Sequence, residues 1–257
     1  MSKRLDKLFE TKKNNILSIY FTAGYPEIND TLKIVKNLDA AGVDLIEIGM
    51  PFSDPLADGP VIQESSQKAI QNGMTIKLLF EQLTDLRKIT QIPIVLMGYL
   101  NPVMQYGEEA FLSKCAEVGV DGLILPDLPL EIYNQDWKIL SKKFDISNIL
   151  LITPQSTEER ISAIDDASNG FVYVVSSNSI TGANNTFDRQ AEYFQYIQQL
   201  RLKNPTLIGF GIHDSETYKE ACQYSNGVII GSAFIRHTTS EGISIKSIYE
   251  FVKNIRS

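Results

Sequence analysis

The sequence predicts an α/β protein, a single (β/α)₈ barrel with an extra N-terminal helix. Short apolar runs of strand length alternate with stretches of helical periodicity along all 257 residues, and repeated units of this kind form a parallel sheet. We count eight such units, and the length is close to the roughly 250 residues of a typical barrel. Neither a composition shift nor a linker divides the chain. We therefore expect one domain over residues 1–257.

An open, doubly wound sheet is the alternative for a chain of alternating strands and helices. Such a sheet binds dinucleotides through a GxGxxG loop that follows its first strand. Here the first apolar run, 16–21, is followed by the turn sequence TAGYP, which does not match that motif. The closed barrel, also called the TIM barrel, is therefore the favoured fold.

The strands are predicted from apolar runs that end at turn residues. The first run stops at the TAGYP turn, the second at a long proline-containing loop, and the fourth at Pro126-Asp127. The third, fifth and sixth runs each occupy the interval between two helical stretches, and the last two precede glycine-rich turns. The predicted strands are 16–21, 45–48, 94–97, 123–125, 149–153, 171–175, 207–210 and 228–230.

The helices are predicted from apolar positions three or four residues apart. The opening segment MSKRLDKLFE is charged and amphipathic, which predicts the extra helix. The next helix ends at Gly42, Asn72-Gly73 separates the following two, and Gly119 ends another. The later helices follow the fourth to eighth strands in turn. After the opening segment, the predicted helices are 28–41, 61–71, 76–89, 105–118, 131–144, 157–167, 188–202, 213–224 and 244–255.

Composition excludes several functional classes. The net charge is -7 and no basic patch stands out, which argues against nucleic acid as a partner. No apolar run approaches the roughly twenty residues of a membrane span, and the charged opening is not a secretory signal. The two cysteines and two histidines are isolated, so we expect reduced thiols, no metal site and a cytoplasmic location.

The second strand carries a carboxylate inside an apolar run. Alternation along Leu45-Ile46-Glu47-Ile48 places Leu45 and Glu47 on one face and the isoleucines on the other, and both faces have the apolar character of a buried parallel strand. A buried glutamate must be paired, hydrogen-bonded or protonated. The long loop that follows is shaped by prolines and glycines and carries Asp54 and Asp58. A structural ion pair is the alternative interpretation.

The loops after the last three strands predict a phosphate site. Active sites of (β/α)₈ barrels lie at the C-terminal ends of the strands, and phosphate is often bound by the loops after strands seven and eight. These two loops contain GFGI, with Gly211, and GSA, with Gly231 and Ser232. Glycine admits an anion close to backbone N–H groups, although the same glycines could simply form tight turns. No lysine or arginine lies in these loops, so the grip would be backbone and hydroxyl.

The sixth loop, SSNSITGANNT, consists of small polar residues and could be a mobile lid or a plain surface loop. Tyr173 lies on the strand before it. Its hydroxyl could reach the region of Glu47, or its ring could simply fill the core.

Several motifs together resemble the tryptophan synthase alpha subunit family, the indole-3-glycerol-phosphate lyases. They are YFTAGYP, IEIGMPFSDPLADGP, LMGYLNPV, VGVDGLILPDLP, ITPQST, VYVVSSNSITG, GFGI and IGSAFIR, and they run almost from end to end. The PFSDPLADGP segment is highly specific, because few other barrels need three prolines and two aspartates at that spacing. The resemblance implies cleavage of indole-3-glycerol phosphate to indole and glyceraldehyde 3-phosphate in tryptophan biosynthesis.

The resemblance also assigns roles to residues. It implies that Glu47 is the catalytic acid and base and Asp58 the second catalytic carboxylate. Tyr173 matches the active-site tyrosine of the family, and the residues that match its phosphate grip are Gly182, Gly211, Gly231 and Ser232. Two departures stand out. Ser177-Asn178-Ser179 occurs where many members carry arginine and glycine, and Tyr20 occurs where phenylalanine is common.

The resemblance further implies a partner. Indole would pass to a tryptophan synthase beta subunit that carries pyridoxal phosphate, in an α₂β₂ assembly, and this chain would need no cofactor or metal of its own. The segment with Asp54 and Pro55 would contact that subunit. A free-standing lyase that releases indole is the alternative.

The two carboxylates suit the chemistry. Burial among Leu45, Ile46 and Ile48 would raise the pKa of Glu47, so that it could protonate the indole ring. Asp58, ionised in a polar loop, would stabilise the positive charge that follows.

Two rivals from different classes remain open. A sugar-phosphate isomerase, or another barrel of the indole pathway, would share the phosphate grip but would not need PFSDPLADGP. A non-catalytic barrel that only activates a partner enzyme is the other, and a glutamate in an apolar strand speaks against it.

Overall fold

The computed structural model describes residues 3–55, 58–176, 186–209 and 211–257, with the side chains of residues 3 and 186–189 outside the description. Within these ranges, eight parallel strands pair in chain order and the last pairs with the first, which closes a barrel. This confirms the predicted (β/α)₈ fold. The strands are β1 (Ile16–Thr22), β2 (Leu45–Gly49), β3 (Ile94–Met97), β4 (Gly122–Ile124), β5 (Ser147–Ile152), β6 (Val172–Val175), β7 (Thr206–Gly209) and β8 (Gly227–Ile230).

Helices surround the barrel and cover the outer face of the strands. No helix among the described residues is long and apolar enough to cross a membrane. The helices are α1 (Lys3–Thr11), α2 (Thr31–Ala40), α3 (Pro60–Gln71), α4 (Ile76–Leu83), α5 (Leu86–Ile89), α6 (Leu100–Tyr106), α7 (Glu108–Val118), α8 (Leu130–Ile132), α9 (Lys138–Phe144), α10 (Glu158–Ala167), α11 (Thr186–Gln199), α12 (Ser215–Ala221), α13 (Ser232–Glu241) and α14 (Ile245–Arg256), with a π-helical turn at Tyr133–Trp137 between α8 and α9.

Side chains of each strand alternate between the barrel interior and the helices. Ile46 and Ile48 pack in the apolar layer between strands and helices, whereas Leu45 and Tyr20 belong to the cluster inside the barrel. Glu47 has the parity of Leu45 and lies in register with Tyr20. The carboxylate therefore points into the barrel, on the same face as Leu45, and this shared face is what the pleat alternation predicts.

Helix α1 closes the N-terminal end of the barrel and is the predicted extra helix. Its Leu5 and Phe9 are buried in the interior cluster, and the ring of Phe9 lies 5.9 Å from that of Phe171. Leu5 packs so closely on Gly170 that a Cβ at that position would lie 2.5 Å from Leu5 Cδ2. Apolar burial therefore fixes the helix under the barrel.

A buried ion-pair network holds the same end. Asp121, which precedes β4 and is fully buried, accepts hydrogen bonds from Arg4 Nε at 2.9 Å and from Arg87 Nη2 at 2.6 Å. It also accepts the backbone N–H of Ile94 at 2.8 Å. The network joins α1, α5 and two strands. It stabilises the end of the barrel that lies opposite the strand C-termini.

Most predicted helices begin and end within three residues of the observed ones, the stretch 76–89 is divided into α4 and α5, and two further differences are larger. The helix predicted from residue 105 begins at Leu100, whose N–H is capped by the Asp127 carboxylate at 2.9 Å, and Gly107 interrupts it with a φ of 92°. Helix α13 is absent from the sequence-based prediction. Its start depends on the turn at Gly231 rather than on apolar periodicity. Caps supplied by remote residues leave no local signal in the sequence.

Candidate active site

A cavity of about 870 Å³ opens at the C-terminal ends of the strands. Its walls come from β1, β3 and β6 and from the loops after β2, β5, β7 and β8. The predicted site residues that line it are Asp58, Tyr173, Gly211, Gly231 and Ser232, together with Tyr20. Gly182 and the rest of the predicted lid loop, residues 177–185, lie outside the described residues.

Glu47 is fully buried beside this cavity. Ser18 Oγ donates a hydrogen bond to its Oε1 at 2.9 Å, and its Oε2 has no hydrogen-bond partner among the described residues. Burial raises the pKa of Glu47 to about 8, against a small opposing effect of the Ser18 hydrogen bond. Since no described cation pairs with it, the carboxyl group carries its proton at neutral pH. The structural ion pair is therefore not the reason for its place in the strand.

Asp58 lies on the loop after β2 and faces the same cavity. Tyr99 Oη donates to its Oδ2 at 3.0 Å, and its Oδ1 has no partner among the described residues. Burial raises the pKa of Asp58 to about 6, and the bond from Tyr99 opposes that rise. The predicted polar loop is thus less solvated than expected at Asp58, although the carboxylate is still mostly ionised at pH 7.

Two tyrosines of the cavity wall, Tyr20 and Tyr173, lie over glycines. A Cβ at Gly49 would lie 2.1 Å from Tyr20 Oη, and a Cβ at Gly209 would lie 2.1 Å from Tyr173 Oη. Any residue other than glycine would collide with these hydroxyl groups. The pKa of Tyr173 is raised by burial, then by the nearby Glu47 and Asp58. Its hydroxyl therefore reaches the region of the two carboxylates and is not simple core filling.

The residues predicted to bind phosphate combine two backbone features. Gly211 has a φ of 79°, a conformation that a side chain would strain. Gly231 is the N-cap of α13 and Ser232 is its first residue, so the free N–H groups of a ten-residue helix begin at this wall. The structure thus brings the three predicted residues together in the wall of one cavity.

Three residues of the site are missed by the sequence analysis. Arg236 lies one turn into α13 and His213 follows the seventh loop, and both line the cavity. Tyr99 is bonded to Asp58 across 41 positions of sequence. The seventh and eighth loops contain no lysine or arginine, and Arg236 adds a cation to the cavity wall from the helix that follows the eighth loop. In the sequence, Arg236 could be assigned to the site only from its spacing of four residues from Ser232, and that spacing is informative only if helix α13 is predicted.

The two residues predicted to face a partner, Asp54 and Pro55, lie on the loop after β2 and differ in exposure. Asp54 is exposed and accepts a hydrogen bond from Ser53 Oγ. Pro55 is buried, and its carbonyl accepts from Gln63 Nε2 at 3.3 Å. The carbonyl of Asp58 accepts from the same Gln63 nitrogen at 2.9 Å. Helix α3 therefore holds the backbone on both sides of residues 56–57, which lie outside the described ranges.

The arrangement can transfer a proton, hold a positive charge and bind an anion within one cavity. A carboxylic acid near neutrality supplies the proton, and a second, ionised carboxylate supplies the charge. Among the described residues, no group of three histidine, cysteine, aspartate or glutamate side chains could hold a metal ion.

Comparison with known proteins gives a consistent result. The sequence model of the family described as "Tryptophan synthase alpha chain" matches residues 6–256. The tryptophan synthase alpha chain of Flavobacterium psychrophilum is 56% identical over 256 residues, which cover 99% of this chain and 100% of that protein. The corresponding chain of Flavobacterium johnsoniae is 54% identical over 257 residues, with both chains covered completely.

Solved structures are similar over the whole barrel. The aminoacrylate-bound form of tryptophan synthase from M. tuberculosis matches with a TM-score of 0.86 at 29% identity, covering 98% of each chain. The tryptophan synthase alpha chain of Legionella pneumophila matches with a TM-score of 0.86 at 31% identity, covering 100% of this chain and 96% of that one.

Proposed function

The chain belongs to the tryptophan synthase alpha chain family, and from this premise we propose that it is the lyase subunit that cleaves indole-3-glycerol phosphate to indole and glyceraldehyde 3-phosphate in tryptophan biosynthesis. One observation carries the proposal. A glutamate that keeps its proton lies beside the cavity, and an ionised aspartate and the N-terminus of α13 line it. Each answers one requirement of the reaction.

The first requirement is protonation of the indole ring. The bond between ring carbon C3 and the glycerol chain breaks only after C3 has gained a proton, because the bond electrons then have an acceptor in the ring. Glu47 carries a proton up to about pH 8 and donates it to C3. The resulting indolenine has a positive charge on its N–H group.

The second requirement is stabilisation of that charge. Asp58 is ionised above about pH 6, and its Oδ1 has no hydrogen-bond partner among the described residues. It accepts the ring N–H as the charge develops. A fixed carboxylate in a partly buried site is effective here, because little water competes with it.

The third requirement is removal of a proton from the glycerol hydroxyl. Glu47, now a carboxylate, takes the proton from the hydroxyl on the carbon attached to C3. The C–O bond becomes a carbonyl, the C–C bond breaks, and its electrons restore the neutral indole ring. Glu47 is protonated again, so the cycle closes without a net proton.

Substrate is held at the other end by its phosphate. Gly211 and Gly231 let the anion approach backbone N–H groups, Ser232 adds a hydroxyl and the N-terminus of α13 adds partial positive charge. Tyr173 lines the wall between the phosphate and Glu47. We include Gly182 in this grip by the family resemblance.

We propose that indole passes to a tryptophan synthase beta subunit in an α₂β₂ assembly, with pyridoxal phosphate in that subunit and no cofactor or metal in this one. The alpha chain designation of the relatives supports a beta-subunit partner. The cytoplasm is the location we propose, since the substrate and product are intermediates of amino-acid synthesis. The free-standing lyase is not favoured.

The test is the release of indole from indole-3-glycerol phosphate by the purified chain, with and without a beta subunit. We expect slow release by the chain alone and faster turnover with the partner. Glu47→Gln keeps the shape but cannot transfer a proton, so kcat should fall by about a hundredfold or more. Asp58→Asn should lose most activity as well.

Substrate binding provides the control. Both variants should retain affinity for the substrate, because neither residue forms the phosphate grip. Gly211→Val should do the reverse and raise KM strongly while circular dichroism shows an intact fold. Near-normal turnover of Glu47→Gln, or indole release absent from the wild-type chain under every condition, would overturn the proposed function.

A further inference from the structure

Tyr99 contacts both ends of the loop that carries the second carboxylate. At one end its ring stacks on Phe52, with ring centroids 5.1 Å apart and planes at 29°. At the other end its hydroxyl donates to Asp58 Oδ2 at 3.0 Å. Tyr99 itself follows β3 and is almost fully buried. One side chain from a neighbouring loop therefore connects residue 52 with residue 58.

The loop is also fastened to the same neighbour at its start. The N–H of Met50 donates to the carbonyl of Met97 at 2.7 Å. The side chain of Met50 packs on Gly98, where a Cβ would lie 2.6 Å from Met50 Cε. Residues 50–52 thus lie against 97–99 by a backbone bond, an apolar contact and an aromatic stack. This contact gives Tyr99 a fixed base from which to reach Asp58.

We propose that Tyr99 is a positioning residue for the reaction: it braces the loop 50–58 and fixes the direction in which Asp58 meets the ring N–H of the substrate. The inference rests on the proposed function. It adds a residue that acts through Asp58 and that has no place in the proton transfers themselves.

The hydrogen-bond geometry explains why a brace is needed. Of the two Asp58 oxygens, Oδ2 is held by Tyr99 and Oδ1 has no partner among the described residues. Without the Tyr99 hydroxyl, the carboxylate could rotate, and its charge would lose this donor within a largely buried site. Tyr99 also favours the ionised form, since it donates to a carboxylate.

The groups that face Asp58 show what keeps its carboxylate ionised. They are Tyr20 from β1, Tyr99 from the loop after β3 and Tyr173 from β6. None of these three side chains is a cation. Among the described residues, the hydrogen bond from Tyr99 is the contact that lowers the pKa of Asp58 against the effect of burial.

The test compares Tyr99→Phe with Phe52→Leu. Tyr99→Phe keeps the aromatic ring for Phe52 to stack on but removes the donor. We expect kcat for indole release to fall about tenfold or more, with KM changed much less, because the phosphate grip is untouched. The acid limb of the pH profile should move up by about one pH unit. Phe52→Leu should lower kcat by a smaller factor, and should add little when Tyr99 is already Phe.

A matched control and a direct titration complete the design. Tyr106→Phe removes a hydroxyl from the other end of α6, where the ring packs on Phe80 and Phe111, and should leave kcat and the acid limb unchanged. Carbon-13 NMR of the Asp58 carboxyl group should show its titration midpoint raised in Tyr99→Phe. An unchanged midpoint together with an unchanged kcat would overturn the proposal. Because the midpoint is measured without substrate, it decides the role of Tyr99 even if the wild-type chain releases no indole.

Discussion

Glu47 and Asp58 show how different degrees of burial can give two carboxyl groups different states. Burial raises both pKa values and one hydroxyl hydrogen bond opposes the rise in each, but fully buried Glu47 reaches about 8, whereas the less deeply buried Asp58 reaches about 6. Between these values one group is an acid and the other a base. This separation is the condition under which one carboxyl group can donate a proton while the other holds charge.

The separation predicts a bell-shaped pH dependence. Activity requires ionised Asp58 and protonated Glu47, so kcat/KM should rise through about pH 6 and fall through about pH 8. The measurement is kcat/KM for indole release from about pH 5 to about pH 9.5, in buffers of constant ionic strength. A profile that stays flat across this range would show that these two groups do not control the reaction.

The raised pKa of Glu47 also predicts a stability effect with a definite sign. The unfolded chain releases this proton near the ordinary glutamate pKa of 4.5, whereas the folded chain holds it until about 8. The stabilising contribution of the protonated group is complete below about pH 4.5 and is lost as the pH rises toward about 8. At roughly 1.4 kcal/mol per pH unit, the loss amounts to several kcal/mol at most.

Glu47→Gln isolates this contribution, because glutamine has the same shape and does not titrate. Urea unfolding of both proteins at about pH 5 and about pH 8.5 should show a smaller fall in the free energy of unfolding for the variant. The variant should therefore be the more stable protein at the higher pH, although it is inactive. Identical pH dependence of the two proteins would mean that Glu47 is not buried as an acid.

At this scale the sequence predicts what is local and misses what is distant. Pleat alternation is enough to place Glu47 on the face of Leu45, opposite the two isoleucines. Which of these two apolar faces is the barrel interior is known only from the closed sheet. The motif around Asp58 identifies the second carboxylate. Tyr99 is not predicted, because its hydrogen bond to Asp58 spans 41 positions and depends on two loops folding against each other. Arg236 is missed because the prediction lacks its helix.

Among the elements, β2 and β7 show why some strand positions must be glycine. Gly49 on β2 and Gly209 on β7 face tyrosines of the neighbouring strands, β1 and β6. In each case an added Cβ would overlap the phenol, with Oη 2.1 Å away. Glycine usually weakens a strand. Here it creates the space in which the two hydroxyls reach the site.

Gly49→Ala should therefore cost stability and disturb the cavity. Tyr20 must move, and overpacking of this kind costs about 1–3 kcal/mol. Gly59→Ala is the matched control, since a Cβ there would meet no described atom within 4 Å and the residue has an ordinary φ of -74°. Urea unfolding should show a clear loss for Gly49→Ala and little change for Gly59→Ala. Equal stability of the two variants would contradict the close approach of Tyr20.

The boundaries of elements separate local from tertiary causes in the same way. Strand β3 is observed over Ile94–Met97, the range that its apolar run predicts. Helix α6 begins five residues before the predicted start at 105, because Asp127 from the next loop caps Leu100. Helix α13 begins at Gly231, in a turn next to the cavity, and no side-chain hydrogen bond caps its start. Where the capping or packing partner of a helix is remote in sequence, the local sequence pattern does not predict where the helix begins.

At the scale of the whole molecule, one end of the barrel carries contacts that stabilise the fold and the other end carries the candidate active site. The N-terminal end is closed by α1 and by the pairs of Asp121 with Arg4 and Arg87. The C-terminal end carries the cavity, the carboxylates and the phosphate grip. None of the three side chains of the ion-pair network is among the described residues that line the cavity. Changes at one end should therefore leave the properties of the other largely intact.

Asp121→Asn tests this division. The change leaves two partly buried guanidinium groups without their carboxylate, and the removal of one partner from a buried pair costs about 3–5 kcal/mol. We expect a large drop in the urea midpoint but near-normal kcat for the protein that remains folded. Glu117→Gln, which breaks an exposed pair with Lys114, should change stability by less than about 1 kcal/mol. A loss of kcat without a loss of stability would contradict the division.

The contact with the proposed beta subunit also concerns the whole molecule, since the loop 50–58 connects the cavity with the outer surface. Asp58 lies at its inner end and Asp54 is exposed on its rim, with Tyr99 and Gln63 bonded to the segment. Docking of a beta subunit on Asp54 would then act on Asp58 through a braced loop. A simple turn residue is the competing role for Asp54, because aspartate often bonds to its local backbone.

Asp54→Ala distinguishes the two roles. If Asp54 contacts the partner, the slow indole release of the isolated chain should be roughly unchanged, while the stimulation by a saturating beta subunit should fall severalfold or its affinity should weaken. Asp85→Ala, which removes another exposed carboxylate at the start of α5, controls for the loss of surface charge. Indole release is measured over a titration with beta subunit, so that affinity and maximal stimulation are obtained separately. The same affinity and the same stimulation as wild type would reduce Asp54 to a turn former. A loss of indole release by the isolated chain as well would show that Asp54 acts on the loop itself. The contacts of Tyr99 with Phe52 and Asp58 would then depend on the residue between them.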